Sequence, residues 1–324
     1  MSKVKSIFIG PDGLRRGWRF LIFVTAVVLV AQFLEQLAIA FLEAKLHVGR
    51  SGLSASALIL GDGFDLIVVL IVTGVFALCE RRRIDSYGLP IKEAFGGLFW
   101  NGIVAALVVV AFVAAGMLVT GGMRIHGIAL RGIDLITSPL LWLVAMLFVG
   151  VTEEYFFRGY ALQSLWRGAG FWPAALITTT LFAGLHLVKP HENAIDIGMI
   201  FVLGLIICMS VRITGSLWWA VGWHAAFDFG QLFIIGTRNG GQVPQGRLLD
   251  VTFPGPAWIT GGELGTEASF FMIPAVVGTF IYVVWFLRPG LLAFMHGVFW
   301  QLCVPAMQGD EAFFHPTIAP VHRG

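Results

Sequence analysis

The sequence predicts an all-α, polytopic transmembrane helical bundle of about eight spans with both termini cytosolic. Three observations carry that expectation. Apolar residues form 57% of the 324-residue chain and charged residues 12%, whereas an ordinary soluble domain is about 25% charged. Apolar runs reach 18 residues and more repeatedly, the length that crosses hydrocarbon as a helix. Basic residues are divided unevenly between alternate connections, which sets orientation.

The spans are read at about 18–41, 54–79, 98–120, 140–166, 172–187, 193–211, 216–236 and 268–287. The first carries Ala38-Ile39-Ala40, small residues at signal-cleavage spacing, but the apolar run is longer than a signal h-region and continues past them. The fifth, Trp172 to Leu187, is short and Thr-rich and is followed by Pro190, which suits a protein-lined interior better than a lipid face. With a cytosolic N-terminus, thirteen basic residues fall on the inner side, Arg81, Arg82 and Arg83 among them, and seven on the outer side. Residues 1–17 read as a cytosolic segment, 18–290 as one membrane domain with its chemistry at about 140–236, and 291–324 as an interfacial segment and tail. The outer connection Thr237–Thr266, with Pro254-Gly255-Pro256 and Gly261-Gly262, reads equally as a flexible connector or a lid. Cys79, Cys208 and Cys303 share no metal-ligand spacing and read as buried structural thiols. A formal net charge of +2 and no basic cluster with interleaved aromatics give no nucleic-acid signal.

Ionisable groups at membrane depth mark function, and they gather in spans four to seven. Glu153, Glu154 and Arg158 follow one another in the fourth. On a helix Glu154 and Arg158 share a face and pair, while Glu153 points about 100° away and is left as a desolvated carboxylate suited to general-base work. A structural ion network between helices is the other reading. Phe182 and His186 share a face of the fifth span, with Gly184 between them for close backbone approach. His224 and Asp228 form an i,i+4 pair in the seventh, in which the carboxylate would hold the imidazole in one tautomer; a self-contained polar pair between helices is its alternative. Axial distances of roughly 20 Å for Glu153, 21 Å for His186 and 12 to 18 Å for His224 and Asp228, each from a cytosolic helix end, bring the three helices' groups to overlapping depths.

The ordered set Glu-Glu-x-x-x-Arg, Phe-x-x-x-His and His-x-x-x-Asp resembles the type II CAAX prenyl endopeptidases, the CPBP family, over about residues 140–236. Gly13-Leu14-Arg15-Arg16-Gly17-Trp18-Arg19-Phe20 and Tyr87-Gly88-Leu89 are softer echoes. The resemblance implies an intramembrane endopeptidase in which Glu153 and His186 activate water, His224 and Asp228 stabilise the oxyanion or orient substrate, and Glu154, Arg158 and Phe182 support them. Prenyl-protein peptidases of eukaryotes have Asn where this chain has Asp228, a residue that resembles bacterial members instead. An anionic Asp228 suits an orienting role.

Substrates are then membrane-associated, prenylated or leader-type, peptides, and the location is the cell membrane, read as a bacterial inner membrane. No cofactor is implied outright; zinc stays open, with His186, His224 and Glu153 as ligand candidates, although His-Glu-x-x-His is absent. A catalytically silent scaffold or immunity factor of the same fold, or a proton-coupled transporter, are the rival functions. Glu35, Asp62 and Asp65 receive no role.

Overall fold

The computed structural model describes residues 7–11, 13–46 and 52–288; the expected interfacial segment and tail, with Cys303, lie outside them. Its order is β1 (Ile9–Gly10), β2 (Gly13–Leu14), α1 (Arg16–Leu46), α2 (Ala55–Cys79), α3 (Gly97–Val119), β3 (Arg124–Ile128), α4 (Asp134–Glu154), α5 (Leu162–Ala169), α6 (Phe171–His186), α7 (Ala194–Thr214), α8 (Trp218–Asp228), β4 (Leu249–Thr252), α9 (Ala257–Thr260) and α10 (Met272–Phe286). The chain is mainly helical, with two small antiparallel β-ladders, β1 with β2 and β3 with β4. Among the described residues, five stretches are long and apolar enough to cross a membrane: Arg16–Gln36, Ala55–Cys79, Gly97–Val119, Asp134–Ala169 and Ala194–Thr214. α10 is apolar but shorter.

Local chemistry sets the helix ends. The Ser54 hydroxyl accepts from the Ala57 N–H at 3.3 Å ahead of α2, and Asn193 Oδ1 accepts from the Ile195 and Asp196 amides at 2.9 and 3.1 Å ahead of α7, satisfying donors a helix start leaves open. The fourth and seventh spans differ from the regular α-helices expected. α4 runs into a π-helical turn, Tyr155–Ala161, in which Gly159 leaves helical geometry at ψ −112. α8 likewise runs into a π-helical segment, Phe229–Ile235. Both begin directly after a proposed site carboxylate, the setting in which π-bulges concentrate.

Close glycine contacts seat α8 between its neighbours. A Cβ on Gly102 of α3 would come within 2.2 Å of the Trp219 carbonyl oxygen, and one on Gly222 of α8 within 2.2 Å of the Phe99 carbonyl oxygen. On the other flank, a Cβ on Gly150 of α4 would stand 3.2 Å from the Val221 oxygen. Small residues at the crossing let backbones touch, which drives helix association in lipid. Gly184 differs from expectation: a Cβ there meets nothing within 4 Å, so it serves no close approach.

One end of the bundle is tied by Glu80, just past α2. Its carboxylate accepts from Arg16 at 3.2 Å and Arg19 at 2.8 Å, and from the hydroxyls of Tyr87 at 3.1 Å and Tyr160 at 2.9 Å. Burial alone would raise this carboxyl, but the bonds from Arg19, Tyr160 and Tyr87, with Arg16 nearby, hold it below its ordinary 4.5. At the opposite end the Thr237–Thr266 connection is an ordered cap. Trp142 Nε1 donates to the Gln245 carbonyl at 3.1 Å, the Gln245 amide donates to the Leu53 carbonyl at 2.8 Å, and Arg238 pairs with Glu263 at 2.6 Å. The thiols divide: Cys208 is buried as expected, but Cys79, the last residue of α2, is exposed.

Two outcomes test this packing. Gly102→Ala and Gly222→Ala should each lower the melting temperature of purified protein, by about 1–3 kcal/mol of overpacking, whereas Gly184→Ala should not, since Ala is the better helix former. A carboxyl held below its ordinary value contributes stability above that value and loses it as pH falls. Wild type should therefore lose more stability than Glu80→Gln as pH falls from about 5 through and below 4.5, read as melting temperature against pH; parallel curves count against the Glu80 hub.

Candidate functional site

α4 ends on Glu153 and Glu154, and the following π turn carries Arg158. Glu154 and Arg158 are both 1% exposed, and Arg158 Nη1 donates to Glu154 Oε1 at 3.3 Å. The Arg158 guanidinium also lies 4.3 Å over the Phe182 ring centroid, which offsets part of its desolvation. Gly204 of α7 makes room for it, since a Cβ there would come within 3.1 Å of Arg158 Nη2.

His224 of α8 enters this pair from the facing helix. Its Nδ1 donates to Glu154 Oε1 at 2.9 Å, while Nε2 stands 3.6 Å from Glu153 Oε2 and 3.5 Å from Asp228 Oδ2. One imidazole thus meets three carboxylates from two helices. Asp228 is fixed in turn: its Oδ1 accepts from Gln231 Nε2 at 3.0 Å. The same amide nitrogen donates to Glu267 Oε1 at 2.7 Å, and Gln231 Oε1 accepts from the Thr266 hydroxyl at 2.5 Å. A buried glutamine so couples the site to the base of the Thr237–Thr266 cap.

His186 closes the site from α6. Its Nδ1 donates to the Phe182 carbonyl at 2.9 Å, which leaves Nε2 for chemistry, and its ring meets Phe182 edge-on at 4.7 Å. Glu154, Arg158, Phe182, His186, His224 and Asp228 all line one cavity of about 70 Å³, along with Trp223 and Glu267. Trp223 Nε1 and Glu154 Oε2 are buried there without a hydrogen-bond partner among the described residues.

Several expectations change in this geometry. The Glu154–Arg158 pair forms as the spacing implies. Glu153 is not the desolvated member, for its side chain is 31% exposed against 2% for Glu154. Asp228 does not alone hold the His224 tautomer; the shorter bond at Nδ1 comes from Glu154. His186 shares the cavity but bonds to its own helix backbone. Gln231, Trp223, Thr266 and Glu267 were not anticipated. Gln231 had a signal, since it follows His224 by seven residues and so lies on the same helical face; Glu267 had none. For zinc, no group of three or more His, Cys, Asp or Glu among the described residues has a metal-holding arrangement. His186, His224 and Glu153 do not meet as a ligand set, and His224 Nδ1 is already engaged.

Against known proteins, a family model described as type II CAAX prenyl endopeptidase Rce1-like matches residues 135–230. That span holds all three motifs, from α4 to the π turn after α8. No curated protein and no solved structure matched the chain.

Glu154→Gln should remove the only carboxylate bonded to Arg158 among the described residues and strand a buried guanidinium, at a cost of about 3–5 kcal/mol. The expected reading is a far larger loss of melting temperature than for Glu153→Gln, whose side chain is partly exposed. Equal losses would overturn the structural division between the two glutamates.

Proposed function

Because the matched region supports assignment of the chain to the CPBP family, we propose that it is an intramembrane endopeptidase with Glu153 as general base. The observation that carries this reading is the position of His224: Nδ1 is held by buried Glu154, and Nε2 faces Glu153 and Asp228. Family membership supports a CAAX protease-like hydrolase; the roles of individual residues and the substrate are our inference.

In this mechanism a water between Glu153 and His186 gives its proton to the Glu153 carboxylate and attacks the scissile carbonyl carbon. His224, carrying a proton on Nε2, donates to the oxyanion that forms. Asp228, held by Gln231, orients the imidazole and neutralises its charge. The proton on Glu153 passes to the leaving amide nitrogen as the C–N bond breaks. Glu154 and Arg158 keep the imidazole in register, and Phe182 supports Arg158. Preorganised donors aimed at a developing oxyanion in a water-poor site are among the strongest catalytic devices. No step here is routed through a metal.

The substrates are membrane-associated peptides, prenylated or leader-type, reached within an eight-pass bundle whose two termini and Arg81–Arg83 connection face the cytosol. Residues 1–17 and 291–324 flank the membrane domain in this scheme, and the location is a bacterial inner membrane. Labelling of Arg82→Cys by an impermeant reagent outside intact cells would overturn that orientation.

Purified protein in vesicles, presented with prenylated C-terminal, leader-type and transmembrane peptides, should cleave at least one class. Glu153→Gln should reduce the rate by about 10²–10⁴ with melting temperature retained. Near-normal turnover by Glu153→Gln defeats the assignment, and a wild type silent on every class favours a non-catalytic scaffold. Loss on chelation that zinc restores would replace the metal-free scheme.

A further inference from the structure

A cavity of about 710 Å³ lies between the N-terminal hairpin and the α5–α6 turn, at the Glu80 end of the bundle, apart from the hydrolytic site. Arg15 lines it just ahead of α1, Arg16 at the first residue of α1, and Arg167 in the last turn of α5. Its remaining wall is apolar, with Leu21, Leu165 and Ile177. Leu21 follows Arg16 by five residues, about 7.5 Å further along the α1 axis, so the lining passes from cationic to apolar in the direction of the membrane span. Leu21 is 50% and Ile177 45% exposed on the outside of the bundle, where hydrocarbon would meet them.

The cationic end is built, not incidental. A Cβ on Gly168 would come within 2.6 Å of Arg16 Cβ, so glycine at that position lets the first turn of α1 close against α5. Glu80 accepts from both Arg16 and Arg19, which holds the two guanidinium groups close together. Arg167 adds a third positive charge, its bond to neutral Gln163 being 3.5 Å. Trp18 stands beside them, its indole donating to the Ile7 carbonyl at 3.1 Å and its ring 4.8 Å from that of Phe8, an aromatic placed as at a membrane–water boundary.

We propose that this cavity binds an anionic glycerophospholipid, its phosphate between Arg16 and Arg167 and an acyl chain along Leu21 and Ile177. Guanidinium groups present paired N–H donors to phosphate oxygens, and basic side chains at a membrane surface favour anionic lipid. A free phosphate would use only half of the lining; the apolar wall selects the lipid. The inference does not depend on the peptidase reading.

The test uses the full chain, delipidated in detergent and exposed to an equimolar mixture of phosphatidylglycerol and phosphatidylcholine, with bound lipid counted by native mass spectrometry. Phosphatidylglycerol should be retained about tenfold over phosphatidylcholine. Arg167→Gln should bring the ratio near parity, and Ala169→Trp, which fills the cavity from an exposed lining position without changing charge, should lower retention of both lipids. Each variant is compared at matched melting temperature; if Arg167→Gln fails to fold, Ala169→Trp alone decides. Equal retention of the two lipids by wild type, or a preference unchanged in both variants, overturns the proposal. Complete displacement of phosphatidylglycerol by millimolar inorganic phosphate, with no dependence on the Ala169→Trp wall, also overturns it in favour of a free-anion site.

Discussion

One buried carboxylate organises the site. Glu154 is surrounded by protein, and a single one of its oxygens serves both Arg158 and His224. An isolated ion in such a place is prohibitively costly, so the pair is tolerable only because the geometry is complete. That requirement propagates outward. Arg158 needs the faces of Phe182 and Phe157 and the empty space over Gly204, and His224 needs α8 to lie close against α4, which Gly150 permits. The chemistry-bearing edge of the imidazole points where it does because its other edge is anchored.

The π-helical turns belong to the same logic. A π turn shifts side chains around the axis relative to an α-helix, and each begins one residue past a carboxylate, Glu154 or Asp228. The second turn carries Gln231, whose amide ties Asp228 to Glu267 beside the cap. The cap and the site are therefore one hydrogen-bonded structure, and the connection read as a flexible connector or a lid is anchored to the site through Thr266.

Much of this was legible in the residues. A helix overlaps each expected span, and five of the described stretches are long and apolar enough to cross a membrane, because hydrocarbon length and backbone satisfaction leave few alternatives. Spacing alone placed Glu154 against Arg158 and put His224 and Asp228 on one face. What escaped is what periodicity cannot encode. The π turns, the first of which contains the non-helical Gly159, follow no local apolar pattern. The inequality of the two glutamates is set by which side of α4 the other helices cover. Glu267 reaches the site from the single 3-10 turn Thr266–Ala268 that follows the glycine- and proline-rich connection, too short to show a helical phase. The Glu80 hub joins residues more than sixty positions apart, and no local signal links Glu80 to Arg16 and Arg19.

The sharing of one Glu154 oxygen between Arg158 and His224 has a consequence for how this chain can diverge. Arg158 and His224 lean on the same oxygen, so loss of any one of the three leaves a charged or polar group stranded in the interior and puts folding at risk. Glu153, partly exposed, holds up nothing comparable. On the mechanism proposed above, substitutions that silence hydrolysis while sparing the bundle are open at Glu153 and closed at Glu154. On that mechanism a lineage that abandoned catalysis would shed the first glutamate and keep the second, and inert scaffolds descended from this architecture should carry that asymmetric scar.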